Sequence, residues 1–239
     1  MIAAFTTLPL VAQQPRWFSA WASAHNVGRE VPGLSGGAVR LVVRPTLSGQ
    51  SLRVKFSNIR GTAPAVFSAA YVGVAGNGAT VVRGTNRQLT FNGASALTLA
   101  PDDMAWSDPV RFDVKAFQRL AVSLNVTSAS DVSMDTLGLV ANYRAGRPRA
   151  AESSPAGFVA IPPNAPDSTV HEYPMYWLAA VDVLSASAGG TVVAVGDSWI
   201  DGRCSTTENG ASGRTCISAG STCWPRGSRD SVAASRVRS

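Results

Sequence analysis

Leu120-Ala121-Val122-Ser123-Leu124-Asn125-Val126 decides the fold. Large apolar residues stand at every second position, and smaller or polar ones fill the gaps. In an extended chain successive side chains point to opposite faces, so this run presents one face to a core and one away from it. The pattern recurs. Val39, Leu41 and Val43 alternate with Arg40, Val42 and Arg44, and Leu52, Val54 and Phe56 alternate with Arg53, Lys55 and Ser57. Each run predicts a half-buried antiparallel strand. Weaker strands are expected over residues 67–74, 88–91, 96–99 and 110–114.

Turn chemistry separates these runs. Ser48-Gly49-Gln50, Gly76-Asn77-Gly78, Asn92-Gly93 and Pro101-Asp102-Asp103 are all turn signals. No helical period of useful length appears, and no internal repeat. The prediction is a mainly β chain. About eight or more short strands at this spacing make an N-terminal β-sandwich of jelly-roll type over residues 17–187.

The chain has 239 residues, 45% of them apolar and 15% charged, which is a globular composition. Trp17-Phe18-Ser19-Ala20-Trp21 opens the folded part. Two Trp at this spacing either form a sugar-stacking platform or, as is commoner, anchor a core or a domain interface. Residues 144–174 are rich in Pro, Ser and Ala and predict a long exposed loop or a segment draped over the sandwich. Residues 175–184 are strand-like again and close the sandwich. Ser185-Ala186-Ser187-Ala188-Gly189-Gly190 has the composition of a linker, so a boundary is expected near residue 188.

After that linker comes Val192-Val193-Ala194-Val195-Gly196-Asp197-Ser198-Trp199-Ile200-Asp201-Gly202. The four apolar residues predict a buried strand of a parallel sheet. It breaks at Gly196 and presents Ser198 at its carboxyl end. That is where open α/β sheets bind ligands, and a Ser there is an exposed nucleophile. Gly, Asp and Ser also dominate ordinary turns, which is the plainer alternative.

The longer string, Gly196-Asp197-Ser198-x-x-Asp201-Gly202 followed by Ser205-Thr206 and Asn209, resembles the first block of the GDSL or SGNH hydrolases, which are serine esterases and lipases. The resemblance implies that Ser198 is the nucleophile and that its backbone N–H contributes to an oxyanion hole. Gly196, Asp197, Asp201 and Gly202 support the motif. A Trp-rich opening, a β-sandwich and then a Gly-Asp-Ser block also resembles the two-domain members of that family. The resemblance covers most of residues 17–209, and residues 188–210 would open an SGNH hydrolase domain. It implies an acyl-ester substrate, including an acylated carbohydrate, and no cofactor.

Two departures stand out. The family takes its catalytic His and Asp from a late Asp-x-x-His block, and this sequence has none after Ser198. Its histidines are His25 and His171, both before the nucleophile. His25 is expected in the sandwich, His171 in a surface or linker position, and Asp182 as a solvated strand-end carboxylate. The second departure is residues 211–239, which hold no Leu, Phe, Tyr or Met. They predict a poorly ordered tail. Read in codons built from each third base and the next two, Cys223-Trp224 forces Leu and Trp224-Pro225 forces Ala. GC-rich choices elsewhere yield an amphipathic helix opening on Pro-Asp and containing Arg-Trp. The expectation is a frameshifted tail and a truncated hydrolase domain, with little catalysis by the 239 residues.

Residues 1–16 are apolar and resemble the core and cleavage region of a secretory signal, although no Lys or Arg precedes them; an irregular arm is the alternative. The signal reading predicts a secreted or periplasmic protein. No run reaches membrane-spanning length. The formal charge is +6, but residues 203–239 supply +4 of it, with six Arg against Glu208 and Asp230. No basic stripe with interleaved aromatics exists, so nucleic acid is not an expected partner. Cys204, Cys216 and Cys223 fit no zinc spacing, so no metal is expected. Three functions follow as alternatives: a GDSL/SGNH esterase, a β-sandwich module that binds carbohydrate or docks on a catalytic domain, or an inactive remnant.

Overall fold

Leu120, Val122, Leu124 and Val126 are all buried, and they occupy the centre of the structure. The computed structural model describes residues 14–138, 140, 142–162, 173–188, 190–194 and 196, and the backbone of 214–215 and 224–225. Fifteen strands span the sandwich: β1 (Arg16–Ala22), β2 (Val27–Arg29), β3 (Gly37–Val43), β4 (Gly49–Ser57), β5 (Ala65–Val74), β6 (Arg87–Leu89), β7 (Leu97–Leu99), β8 (Met104–Trp106), β9 (Val110–Val114), β10 (Leu120–Ser128), β11 (Val132–Asp135), β12 (Tyr143–Ala145), β13 (Phe158–Ala160), β14 (Met175–Tyr176) and β15 (Leu178–Ser185). No helix occurs among the described residues.

Two antiparallel sheets carry the fold. One runs β13-β12-β3-β10-β5-β6, with β7 also on β5; the other runs β1-β15-β4-β8, with β9 also on β4. A small sheet, β14-β11-β2, completes the set. The apolar positions of β3, β5 and β10 join those of β4, β9 and β15 in a single cluster. This is the mainly β sandwich that the alternating sequence predicts, and the chain changes sheet from β3 to β4, β4 to β5 and β9 to β10. The register sets the facing. Val122 pairs with Leu41 on one side and with Val72 on the other, so three strands present branched apolar side chains in one row.

Three of the four turn signals hold; at Ser48-Gly49-Gln50, Gly49 and Gln50 already belong to β4. Asn92 and Gly93 both take positive φ, 51° and 82°, between bridged Phe91 and Ala94. Asn and Gly are the residues that adopt such a corner at least cost. Residues 175–184 do not form one strand. Trp177 takes φ 53° and breaks the run into β14 and β15. Its backbone N–H donates to Ser133 O at 2.9 Å and its carbonyl accepts from Ser57 N at 2.8 Å. Its ring is fully buried, edge-on to Phe67 with centroids 5.1 Å apart.

Three sequence expectations are corrected. First, β3 is not half-buried: all seven residues are inside. Its second face lies under a smaller cluster of Val42, Ala79, Val140 and Tyr143, with Ala75 and Phe158 packed against it. Loops folding back over the sheet bury what periodicity assigns to solvent. Second, β10 is not half-buried either: Leu120 to Leu124 are all inside, Ala121 and Ser123 included. Of the two readings of the segment from 144 onward the draped one holds, since β12 and β13 extend the sheet from β3. Third, the buried strand expected over 192–195 does not form in its described part. Residues 191–194 have no regular structure, and Val192 and Val193 are 96% and 76% exposed. Such a run is buried as a strand only with partners beside it and cover on both faces, and no described strand pairs with it.

Candidate functional site

The Gly196–Gly202 block follows β15 in the chain. Gly196 is exposed and has no regular structure. Asp197, Ser198, Asp201 and Gly202 lie outside the described residues, as do His171, Cys204, Cys216 and Cys223. Thr191 Oγ donates to Ser19 O, on the edge strand β1, at 3.2 Å.

His25 is the histidine that the structure describes, and it sits inside the fold as the sequence suggests. Its Nε2 lies 3.2 Å from Leu178 O and its Nδ1 lies 2.8 Å from Ser133 Oγ. A carbonyl can only accept, so Nε2 carries the proton and Nδ1 accepts from the Ser133 hydroxyl. Ser133 Oγ in turn accepts from Arg60 N at 3.1 Å. Asp135 stands close by, accepting from Ser23 Oγ at 2.6 Å and from Leu137 N at 2.9 Å. Ser133 and His25 thus share one network, with the Asp135 charge near it. Ser133 is fully buried, however, and both imidazole nitrogens are engaged. The network joins the β1–β2 connection to β11 and β15 and offers no path to a substrate. Burial holds the His25 pKa below its ordinary value, with the Leu178 carbonyl and Asp135 opposing the shift.

The outer face of the five-stranded sheet carries a second constellation. Asp182 lies mid-strand opposite Arg53 in the β15–β4 register. Arg53 Nε and Nη2 both donate to Asp182 Oδ2, at 3.1 and 2.8 Å. The guanidinium lies between two indoles, 4.9 Å from the centre of Trp17 and 4.5 Å from that of Trp106. Lys55 Nζ lies 5.6 Å from the Trp106 ring. Asp182 is therefore buried and paired, not solvated as its sequence position suggests. The two Trp of the opening divide their roles: Trp21 is buried in the core, and Trp17 is half-buried on this face.

No protein-family model matches the chain, and no curated protein matches it at a significant level. The geometry therefore stands by itself. Among the described residues no three His, Cys, Asp or Glu side chains are grouped to hold a metal ion. No helix among them is long and apolar enough to cross a membrane.

Sequence reasoning missed Trp106 entirely. Its strand, β8, is three residues long and shows no period. A signal for the Arg53–Asp182 pair does exist: opposite charges at outward positions of two strands that share an apolar face.

Proposed function

We propose that the chain is of the GDSL/SGNH serine-esterase type, secreted or periplasmic, with Ser198 in the nucleophile position, and that the 239 residues by themselves are inactive. The substrate is an acyl ester, and an acylated carbohydrate is the class to test first. The observation that carries this reading is the Gly196-Asp197-Ser198-x-x-Asp201-Gly202 block, placed directly after a β-sandwich whose last strand ends at Ser185. The Ser198 hydroxyl attacks the acyl carbon, a base takes its proton, and backbone N–H groups hold the developing oxyanion. His25 is not that base, because Leu178 O and Ser133 Oγ occupy its two nitrogens. The 239 residues carry no Asp-x-x-His after Ser198, so this chain alone is expected to hydrolyse esters at the background rate.

The test measures p-nitrophenyl acetate hydrolysis. It compares the 239-residue chain with the protein read from its coding DNA in the frame shifted after residue 211, each with and without Ser198→Ala. Hydrolysis by the shifted-frame protein alone, abolished by Ser198→Ala, is the expected result. A shifted frame that closes at once, or hydrolysis that survives the substitution, overturns the reading.

A non-catalytic binding or docking module is the second reading. The Trp17–Arg53–Trp106 face favours it, since a flat sheet surface with two half-buried indoles suits a sugar or a protein partner. Retention on insoluble polysaccharide that Trp106→Ala removes and Ser198→Ala leaves intact supports this reading; retention unchanged by Trp106→Ala sinks it.

A further inference from the structure

β6 and β9 are edge strands, one of each large sheet. On that side of the sandwich runs an open groove of about 550 Å³, lined by Gln50, Arg87, Arg111, Asp113, Lys115 and Gln118 among others. Its charge is unusual for this molecule. Residues 83–87 and 111–119 carry Arg83, Arg87, Arg111, Lys115 and Arg119 against Asp113 alone, a net of +4. The described residues carry 15 basic and 9 acidic side chains, a net of +6, and +4 of it lies at this edge. Among the described residues Arg111 and Lys115 have no ion-pair partner. Arg87 is fixed at the groove by donating from Nη1 to Gly84 O at 2.8 Å and to Asn86 O at 3.1 Å.

A second observation comes from the turn beside the groove. Gln118 N donates to Lys115 O at 3.0 Å, closing a four-residue turn. Phe117 holds its third position with φ 63°. Gly or Asn is the residue for such a corner, and a bulky side chain there is strained. Nor does burial explain Phe117, whose residue is 49% exposed. An aromatic ring is held in solvent, at a conformational cost, between two residues that line a cationic groove. Strain of this kind points to a surface that is used.

We propose that this edge groove binds an acidic polysaccharide, a chain of uronic-acid sugars. The Arg87 and Arg111 guanidiniums and the Lys115 ammonium pair with sugar carboxylates. The carboxamides of Gln50 and Gln118, with the Asp113 carboxylate, take sugar hydroxyls. The Phe117 ring stacks on a pyranose face. The mixture of cations, amides and one carboxylate fits a polyhydroxylated ligand with spaced charges. Asp113 accepts from the hydroxyls that every sugar of such a polysaccharide offers, whereas the phosphate oxygens of a DNA backbone are acceptors only. The groove lies wholly in the sandwich, so this inference stands or falls independently of Ser198.

The experiment is affinity gel electrophoresis of the full chain in gels holding polygalacturonate, dextran or single-stranded DNA. Retardation by polygalacturonate, weakened by salt, and none by dextran, is expected. The Arg87→Gln/Arg111→Gln pair is expected to lower the affinity by about tenfold. Phe117→Gly relieves the strained corner, so it is expected to hold or raise Tm while weakening retardation. No retardation by polygalacturonate, or retardation unaffected by both sets of variants, overturns the proposal. Stronger retardation by DNA than by polygalacturonate overturns the assignment to a polysaccharide.

Discussion

The Arg40 guanidinium carbon lies 4.1 Å from the centre of the Phe158 ring, and Arg40 is completely buried on the outer side of the seven-stranded sheet. All three of its nitrogens donate. Nε donates to Ser123 Oγ at 2.9 Å, Nη1 to Ala79 O, and Nη2 to Glu152 O at 2.6 Å. One side chain thereby ties the loop after β5 and the loop after β12 to the strand beneath them. Burial brings its pKa down to about 10, with the Glu152 carboxylate opposing the shift. Arg40→Met keeps the bulk but orphans several buried acceptors, and is expected to cost on the order of 3 kcal/mol. Arg40→Lys, a point charge in place of a fork, should lose part of that. Urea unfolding midpoints measure both. A change within error for Arg40→Met would mean that the loops hold themselves.

The Arg53–Asp182 pair makes an asymmetric prediction. The Asp182 side chain is 10% exposed, the Arg53 side chain 31%. Arg53→Ala strands a carboxylate that is mostly out of water. Asp182→Ala leaves a cation that still rests on two indoles and reaches solvent. Arg53→Ala should therefore destabilise more than Asp182→Ala. The coupling from the double-mutant cycle should be about 1 kcal/mol, since the partly open arginine is screened by water. Equal losses from both single variants would contradict the asymmetry.

Gly28 marks a close approach of two backbones. A Cβ built at this position stands 1.8 Å from the carbonyl oxygen of Arg60. That contact involves main chain on both sides, and no side-chain rotation relieves it. Gly28 pairs with Ser133 in the β2–β11 register, beside the His25 network. Gly28→Ala is expected to destabilise by roughly 3 kcal/mol, the upper end of overpacking costs. A thermal unfolding scan reads it directly. Gly33→Ala is the contrasting substitution, because nothing lies within 4 Å of its added methyl and only its φ of 76° opposes the change.

These residues also show where the sequence stops being readable. A strand with a clear period, such as β4, is visible because one apolar face meets one core. The Asn92-Gly93 corner is visible because its chemistry is local. Arg40 is misleading for the opposite reason. Alternation assigns it to solvent, and only loops from far along the chain bury it. β2, β8, β11, β12 and β13 have three or four residues each, too few for a period, and ladder partners distant in sequence define them. β1 pairs with β15 across most of the sandwich, with Trp17 opposite Leu184. Asp182 reads as a strand end beside a linker because the sequence does not show Arg53 next to it. The proposed nucleophile is legible as a short motif, and its supports are not, since a triad is assembled by folding and not by adjacency.

His25 gives the pH dependence. Its ordinary pKa is 6.5, and in the folded protein desolvation lowers it, against the Leu178 carbonyl and the Asp135 charge, which raise it. The unfolded chain therefore takes up a proton on His25 at a higher pH than the folded chain does. Below about pH 6.5 the unfolded state binds more protons, so stability falls as pH falls. Above that value both states are neutral at His25, and its contribution is fully present. Protonation also puts a hydrogen on Nδ1, where Ser133 Oγ can no longer donate and must turn its own proton elsewhere. The expected result is a Tm that declines on acidification from pH 7.5 toward 5.5, approximately the span over which an unperturbed imidazole titrates. His25→Gln should start from a lower Tm at pH 7.5, since an amide cannot reproduce both bonds, and should then show a flatter profile over the same span. Two parallel profiles would place the acid sensitivity in another group and leave His25 a purely structural link between β11 and β15.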